Sequence, residues 1–174
     1  MDLPEGLIEH AEALVRLDPR KPKQANLRRG VSAAYYALFH LLGRAVADSL
    51  VGTKSVSVNA RFRRVLGHQA MKEACRWFAP NGQPPKSLVT LLGAAPQVQA
   101  SVELRRVAEA FVVLQEERHR ADYDVQALFT RQSATELVAR ARLAFDDWEA
   151  AKADALRSVF LVILLAGKGA LPDR

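Results

Sequence analysis

At 174 residues the chain has the length of one ordinary domain, 1–174, long enough to bury a core without disulfides or metal. A single cysteine, Cys75, excludes an internal disulfide, and the scattered His10, His40, His68 and His119 form none of the close pairs that a zinc site uses. The formal charge of +6 is uneven, since residues 16–76 carry 13 Lys and Arg against Asp18, Asp48 and Glu73, while residues 77–174 carry 12 basic against 12 acidic. The basic first half suits a polyanion such as RNA or an acidic protein, and equally suits ordinary solvated faces.

Alternation of β-branched residues is nearly absent and alanine is frequent within amphipathic patterns, so the chain reads as all-α. Asp2 caps a first predicted helix with Pro4 in its first turn and a stripe of Leu7, Ile8, Ala11, Leu14 and Val15. Pro19 and Pro22 break it, and a second helix runs from about Gln24 to Leu50. Residues 52–58 read as a connection. A third helix starts at Asn59, runs through Phe62, Val65, Leu66, Met71 and Trp77, and ends before Pro80, Gly82, Pro84 and Pro85. A short turn or helix occupies Ser87–Leu92, and Ser101 caps a helix bearing Val102, Leu104, Val107, Phe111 and Leu114 and ending near Ala121. Ser133 with Glu136 forms a capping box for a last helix of more than about 30 residues, through Trp148, Leu156 and Ile163 to Gly167. A helix end that long and apolar either packs on a second subunit, which makes a homodimer the expectation, or completes the chain's own core.

The free cysteine suggests a reducing compartment, and the N-terminal stretch lacks the basic-then-apolar order of a signal peptide. The apolar run Val159–Ala166 is too short to span a bilayer. A cytoplasmic location and no membrane partner are therefore expected. The scattered His and Cys give no expectation of a metal, and no cofactor is expected for small-molecule oxidoreduction, since no glycine-rich phosphate loop occurs in a strand-to-helix setting. A DNA-binding helix-turn-helix fits poorly, since the 52–58 connection is unlike its short turn.

Two polar clusters carry the chemistry. The first is Arg28-Arg29-Gly-Val-Ser-Ala-Ala-Tyr35-Tyr36-Ala-Leu-Phe39-His40, in which Arg29, Ala33, Tyr36 and His40 share one helical line and Tyr35, Phe39 and Leu42 another. The second is Glu116-Glu117-Arg118-His119-Arg120-Ala121-Asp122-Tyr123-Asp124, where Arg118 and Asp122 stand one turn apart, as do His119 and Tyr123. A helix end bearing Arg and flat rings binds phosphate and stacks a base; the same residues also serve as helix-packing contacts and a tied-down helix terminus.

Together, Ser32-Ala-Ala-Tyr35-Tyr36-Ala-Leu-Phe39-His40 and Arg118-His119-Arg120-Ala121-Asp122-Tyr123-Asp124 resemble the two signatures of prokaryotic HEPN domains, most closely the small free-standing UPF0332-type proteins. The resemblance covers about residues 5–165. It implies an antiparallel bundle of four to five helices, usually dimeric, and a role in toxin–antitoxin or defence systems beside a minimal nucleotidyltransferase. Catalytic relatives cleave RNA without metal through an Arg, four to six residues, then His. Here Arg118 matches the Arg-x-x-Ala-Asp-Tyr signature, but no His follows at that spacing. Arg63 and Arg61 stand at it relative to His68, yet in the wrong part of the fold order, so His68 is set aside. Relatives often carry Arg just before the Ala-Tyr-Tyr, where this chain has Ala33.

Metal-independent cleavage needs a base for the ribose 2′-hydroxyl, an acid for the leaving oxygen and a cation for the phosphorane. Arg118, His119 and His40 are the catalytic candidates, and Arg28, Arg29, Tyr35, Tyr36, Asp122 and Tyr123 the RNA- or nucleotide-binding ones. The alternative is a non-catalytic helical partner or scaffold of a nucleotidyltransferase. In that case the tyrosine hydroxyls would be satisfied by Asp122 or His40 between helices.

Overall fold

Glycine at position 30 shows how closely the first two helices meet, since a Cβ there would lie 2.7 Å from Val15 Cγ1 and 3.4 Å from the Ala11 carbonyl oxygen. The computed structural model describes residues 2–51 and 66–167, and among these the chain is all-α with no strand. The helices among the described residues are α1 (Leu3–Arg16), α2 (Gln24–Val51), α3 (His68–Phe78), α4 (Lys86–Leu92), α5 (Pro96–Gln99), α6 (Val102–Tyr123), α7 (Arg131–Ala150) and α8 (Arg157–Ala166), with a 3-10 turn at Ala151–Ala153. The expected connection at 52–58 and the start of the third helix at Asn59 lie outside the described residues.

Four long helices form the bundle: α1, α2, α6 and α7 surround the core, each antiparallel to its neighbours, with α2 and α7 parallel and touching across it. Side chains mark the register. Asp2 pairs with Arg44 and Val15 meets Gly30 along α1 and α2; Arg106 and Glu109 of α6 pair with Asp147 and Arg140 of α7; Arg142 returns to Glu5 and Glu12 of α1. Ile8, Leu27, Leu38, Leu42, Leu104, Phe111 and Leu114 are fully buried between them. Each such side chain contributes about 1.5–3 kcal/mol, which makes this seam the main source of stability. On the flank, α3 packs on α6 and α8, and Phe78 meets Phe160 edge-on at 4.9 Å.

Several expected boundaries hold. Ser101 Oγ accepts the Leu104 N–H (3.2 Å), Met71 and Trp77 are buried, and α3 stops at Phe78 ahead of Pro80. Asp2 occupies the N-cap position of α1, but its carboxylate goes to Arg44 rather than to a helix N–H. The α7 cap is Thr130, not Ser133: Thr130 Oγ1 accepts from Ser133 N (3.0 Å) and Ser133 Oγ accepts from Thr130 N (3.1 Å), so the helix begins earlier.

The expected long C-terminal helix is corrected. It ends at Ala150, turns, and resumes as α8. Asp154 makes the break: its Oδ1 accepts the Leu156 N–H and its Oδ2 the Ser101 N–H, both at 2.7 Å. Arg157 Nη1 donates to the Trp148 carbonyl (2.5 Å) with its guanidinium 3.6 Å from the indole centroid. Phe160, Leu161, Ile163 and Leu164 are thereby buried against α2 and α3. The apolar end completes the chain's own core, and the reason it gave for a second subunit falls away.

Candidate functional site

The two polar clusters face each other because α2 and α6 run antiparallel, which sets Ser32 and Tyr36 opposite Asp122 and Arg118. Arg118 is the centre. Its Nη2 donates to Tyr36 Oη at 2.7 Å, and its Nε lies 2.8 Å from Asp122 Oδ2, off the N–H axis, so that contact is an ion pair rather than an aligned hydrogen bond. The guanidinium carbon sits 5.3 Å from the Tyr36 ring centroid and 5.2 Å from that of Tyr123. Ser32 Oγ donates to the other oxygen of Asp122 at 2.5 Å. Burial pulls the Arg118 pKa down, but Tyr36, Asp122 and Tyr123 more than offset it, and the net shift is upward. The side chain is a permanent cation.

A second pair lies alongside. With the imidazole proton on Nε2, Tyr35 Oη donates to His68 Nδ1 at 2.6 Å. Tyr35 is buried among Tyr36, Phe39 and Phe111, and desolvation raises its pKa far above the usual phenol range despite the opposing pull of Arg118. The His68 ring packs 4.3 Å from Phe39 and edge-on to Tyr36 at 6.0 Å. The residue is exposed, but desolvation of the part packed on the rings and then the Arg118 charge lower its pKa, which keeps it neutral near pH 7. His68 is the residue that sequence reasoning set aside; the signal that marked it was its Arg, four residues, His spacing from Arg63, which lies outside the described residues.

The remaining candidates divide. His40 is half-buried and stacks on Tyr36, centroids 6.4 Å apart. His119 is exposed on the outer side, 5.0 Å from the Tyr123 ring. Arg28 is committed to backbone: its guanidinium donates to the carbonyls of Ala121 (3.1 Å), Asp124 (2.8 Å), Val125 (3.3 Å) and Ala127 (2.5 Å), closing the C-terminus of α6 and the loop after it. Arg29 is exposed on the turn before Ala33. The tyrosine hydroxyls find Arg118 and His68 rather than the expected Asp122 and His40.

No family model, curated protein or solved structure matches this chain. Chemistry therefore rests on the geometry. Among the described residues no group of three His, Cys, Asp or Glu stands ready to hold a metal ion. An open cleft of about 550 Å³ lies further along α3 and α6, lined by Arg76, Trp77, Val112 and Val113 among others, and contains none of the cluster residues. Part of the basic character of α3 is neutralised, since Lys72 and Arg76 both bind Glu116, at 3.0 and 2.9 Å. Against the burial that raises it, those two cations hold the Glu116 carboxyl below its usual pKa. The cluster thus offers one fixed cation, two aromatic faces on it, and a neutral imidazole beside a protonated phenol.

Proposed function

We propose that this chain is a HEPN-type protein of the toxin–antitoxin or defence kind that binds unpaired RNA or a nucleotide at the Tyr36–Arg118–Tyr123 group. One observation carries this: a permanently charged guanidinium lies against two phenol rings, and one of those rings, Tyr123, is 63% exposed beside the exposed His119. A phosphate meets the charge and an unstacked base meets the ring. Metal-independent cleavage is the catalytic extension. Arg118 supplies the cation, and His68, neutral and close enough to feel the Arg118 charge, joins His40 and His119 as a group able to move a proton.

The test is titration of fluorescein-labelled single-stranded RNA and of ATP with folded protein, followed by incubation of the RNA in EDTA. Tyr123→Ala is expected to cost about 1–3 kcal/mol of RNA affinity, the value of one stacked base. Equal binding by wild type and Tyr123→Ala overturns the site. Cleavage that disappears in Arg118→Lys or His68→Gln supports the catalytic extension.

A second reading has its own observation. Ser32–Asp122 and Tyr36–Arg118 bridge α2 and α6, and Arg28 ties α2 to the end of α6 and the loop after it, so the motif residues also tie the bundle together. Such a module suits a non-catalytic scaffold for a minimal nucleotidyltransferase. Absence of RNA binding together with a stable complex on co-purification selects it.

A further inference from the structure

One end of the bundle is built from two loops, residues 17–23 between α1 and α2 and residues 124–130 between α6 and α7. Arginines brace both: Arg28 donates to the carbonyls of Asp124 and Ala127, and Arg131 Nη2 donates to those of Leu17 (3.0 Å) and Asp18 (2.7 Å). Gln24 adds a two-way bridge to Phe129, accepting from its N–H (2.9 Å) and donating to its carbonyl (2.7 Å). The second loop is therefore held in place, with Ala127 and Phe129 buried beneath it. Yet Val125 is 89% exposed, Leu128 75% and, on the neighbouring loop, Leu17 48%. Exposure here is imposed by a fixed backbone rather than by looseness.

Shape and charge then narrow the partner. A side chain with almost all of its area free, as at Val125 and Leu128, projects beyond its surroundings. The end presents protruding tips. Around the tips Arg16, Arg20, Lys21, Lys23 and Arg29 are exposed. Of the local carboxylates, Asp18 accepts from Asn26 and lies 3.7 Å from Lys23 and Glu117 pairs with Arg120, while Asp124 keeps its charge as it accepts the Gln126 N–H. Positive charge predominates at this end beside the protruding aliphatic groups.

We propose that this end docks peripherally on an anionic lipid bilayer, with Val125 and Leu128 entering the boundary between headgroups and acyl chains and Arg20, Lys21 and Lys23 lying against headgroup phosphates. RNA would use the cations but gains nothing from two projecting aliphatic side chains, and a protein partner would need a cavity shaped to receive them. A fluid interface accepts both. Peripheral docking requires no spanning segment, and no helix among the described residues is long and apolar enough to cross a membrane. Because it uses other residues than the Arg118 cluster, this inference stands or falls separately from the RNA reading.

Vesicle flotation tests it, with phosphatidylcholine alone or mixed with phosphatidylglycerol, at low and high salt. Wild-type protein is expected to float with phosphatidylglycerol vesicles only. Val125→Asp/Leu128→Asp, at positions too exposed to unfold the chain, should weaken partitioning by about tenfold or more. Lys21→Glu/Lys23→Glu and high salt should each weaken it severalfold. Labelled RNA is titrated into the same variants, which separates lipid phosphate from RNA phosphate. Failure of the wild type to float overturns the proposal, as does flotation that survives Val125→Asp/Leu128→Asp. Loss of RNA binding in that variant, with flotation unchanged, reassigns the end to RNA.

Discussion

Arg28 of α2 and Arg118 of α6 reach into the same helix–helix seam from opposite sides, and each carries a planar guanidinium with several donors. Arg28 meets only backbone carbonyls, whose positions are set by the turn after α6. Arg118 meets a phenol, a carboxylate and two ring faces. Carbonyls at a helix end must be paired, so Arg28 closes a structural account. Side-chain partners can exchange for a ligand's oxygens, so Arg118 keeps a use beyond stability. Residue type does not separate the two roles; the chemistry of the acceptors does.

Substitutions sharpen that contrast. Arg28→Ala should have the largest effect on stability, about 2–3 kcal/mol, because several carbonyls lose their donor together. By the same reasoning it should leave the RNA affinity of the folded fraction unchanged, as read by thermal melts beside binding titrations. Ser32→Ala should cost about 1.5–2 kcal/mol, since it removes a donor from the Asp122 carboxylate that positions Arg118. Arg118→Lys keeps the charge but loses the fork and the stacking plane; about 1 kcal/mol of stability and roughly tenfold in RNA affinity are expected, an inverse ordering to Arg28→Ala. Equal stability losses for Arg28→Ala and Arg118→Lys, with no change in binding, would erase the distinction.

The smallest expected effect is a pH slope. Partial desolvation and then the Arg118 charge hold the His68 pKa below its ordinary value near 6.5. As pH falls through about 6.5 the unfolded chain takes up a proton that the folded imidazole still refuses, so stability declines on acidification and levels off once the folded group protonates. Melting temperatures should therefore fall slightly as the pH is lowered from neutral through about 6.5 in the wild type, and this component should be missing in His68→Gln.

Features set by neighbours within one or two turns were legible in the sequence. The Arg118–Asp122 pair, the His119–Tyr123 contact, the Ser101 cap and the buried stripe of Met71 and Trp77 all follow from helical spacing. What was missed acts over distance. His68 enters the cluster through Tyr35, on another helix, and nothing local to either residue announces the pairing. Arg28 acts on carbonyls, which carry no side-chain identity to read. The break after Ala150 depends on Asp154 finding the Ser101 N–H, so the periodicity of α7 and α8 alone favoured one continuous helix.

That last carboxylate gives the chain an internal reporter. Asp154 holds the amide of Ser101 with one oxygen and the amide of Leu156 with the other. When α8 peels away from the bundle and takes Asp154 with it, an amide at the start of α6 loses its acceptor and becomes open to deuterium from solvent. Exchange at Ser101 therefore times the opening of the C-terminal helix, from a position in the middle of the sequence.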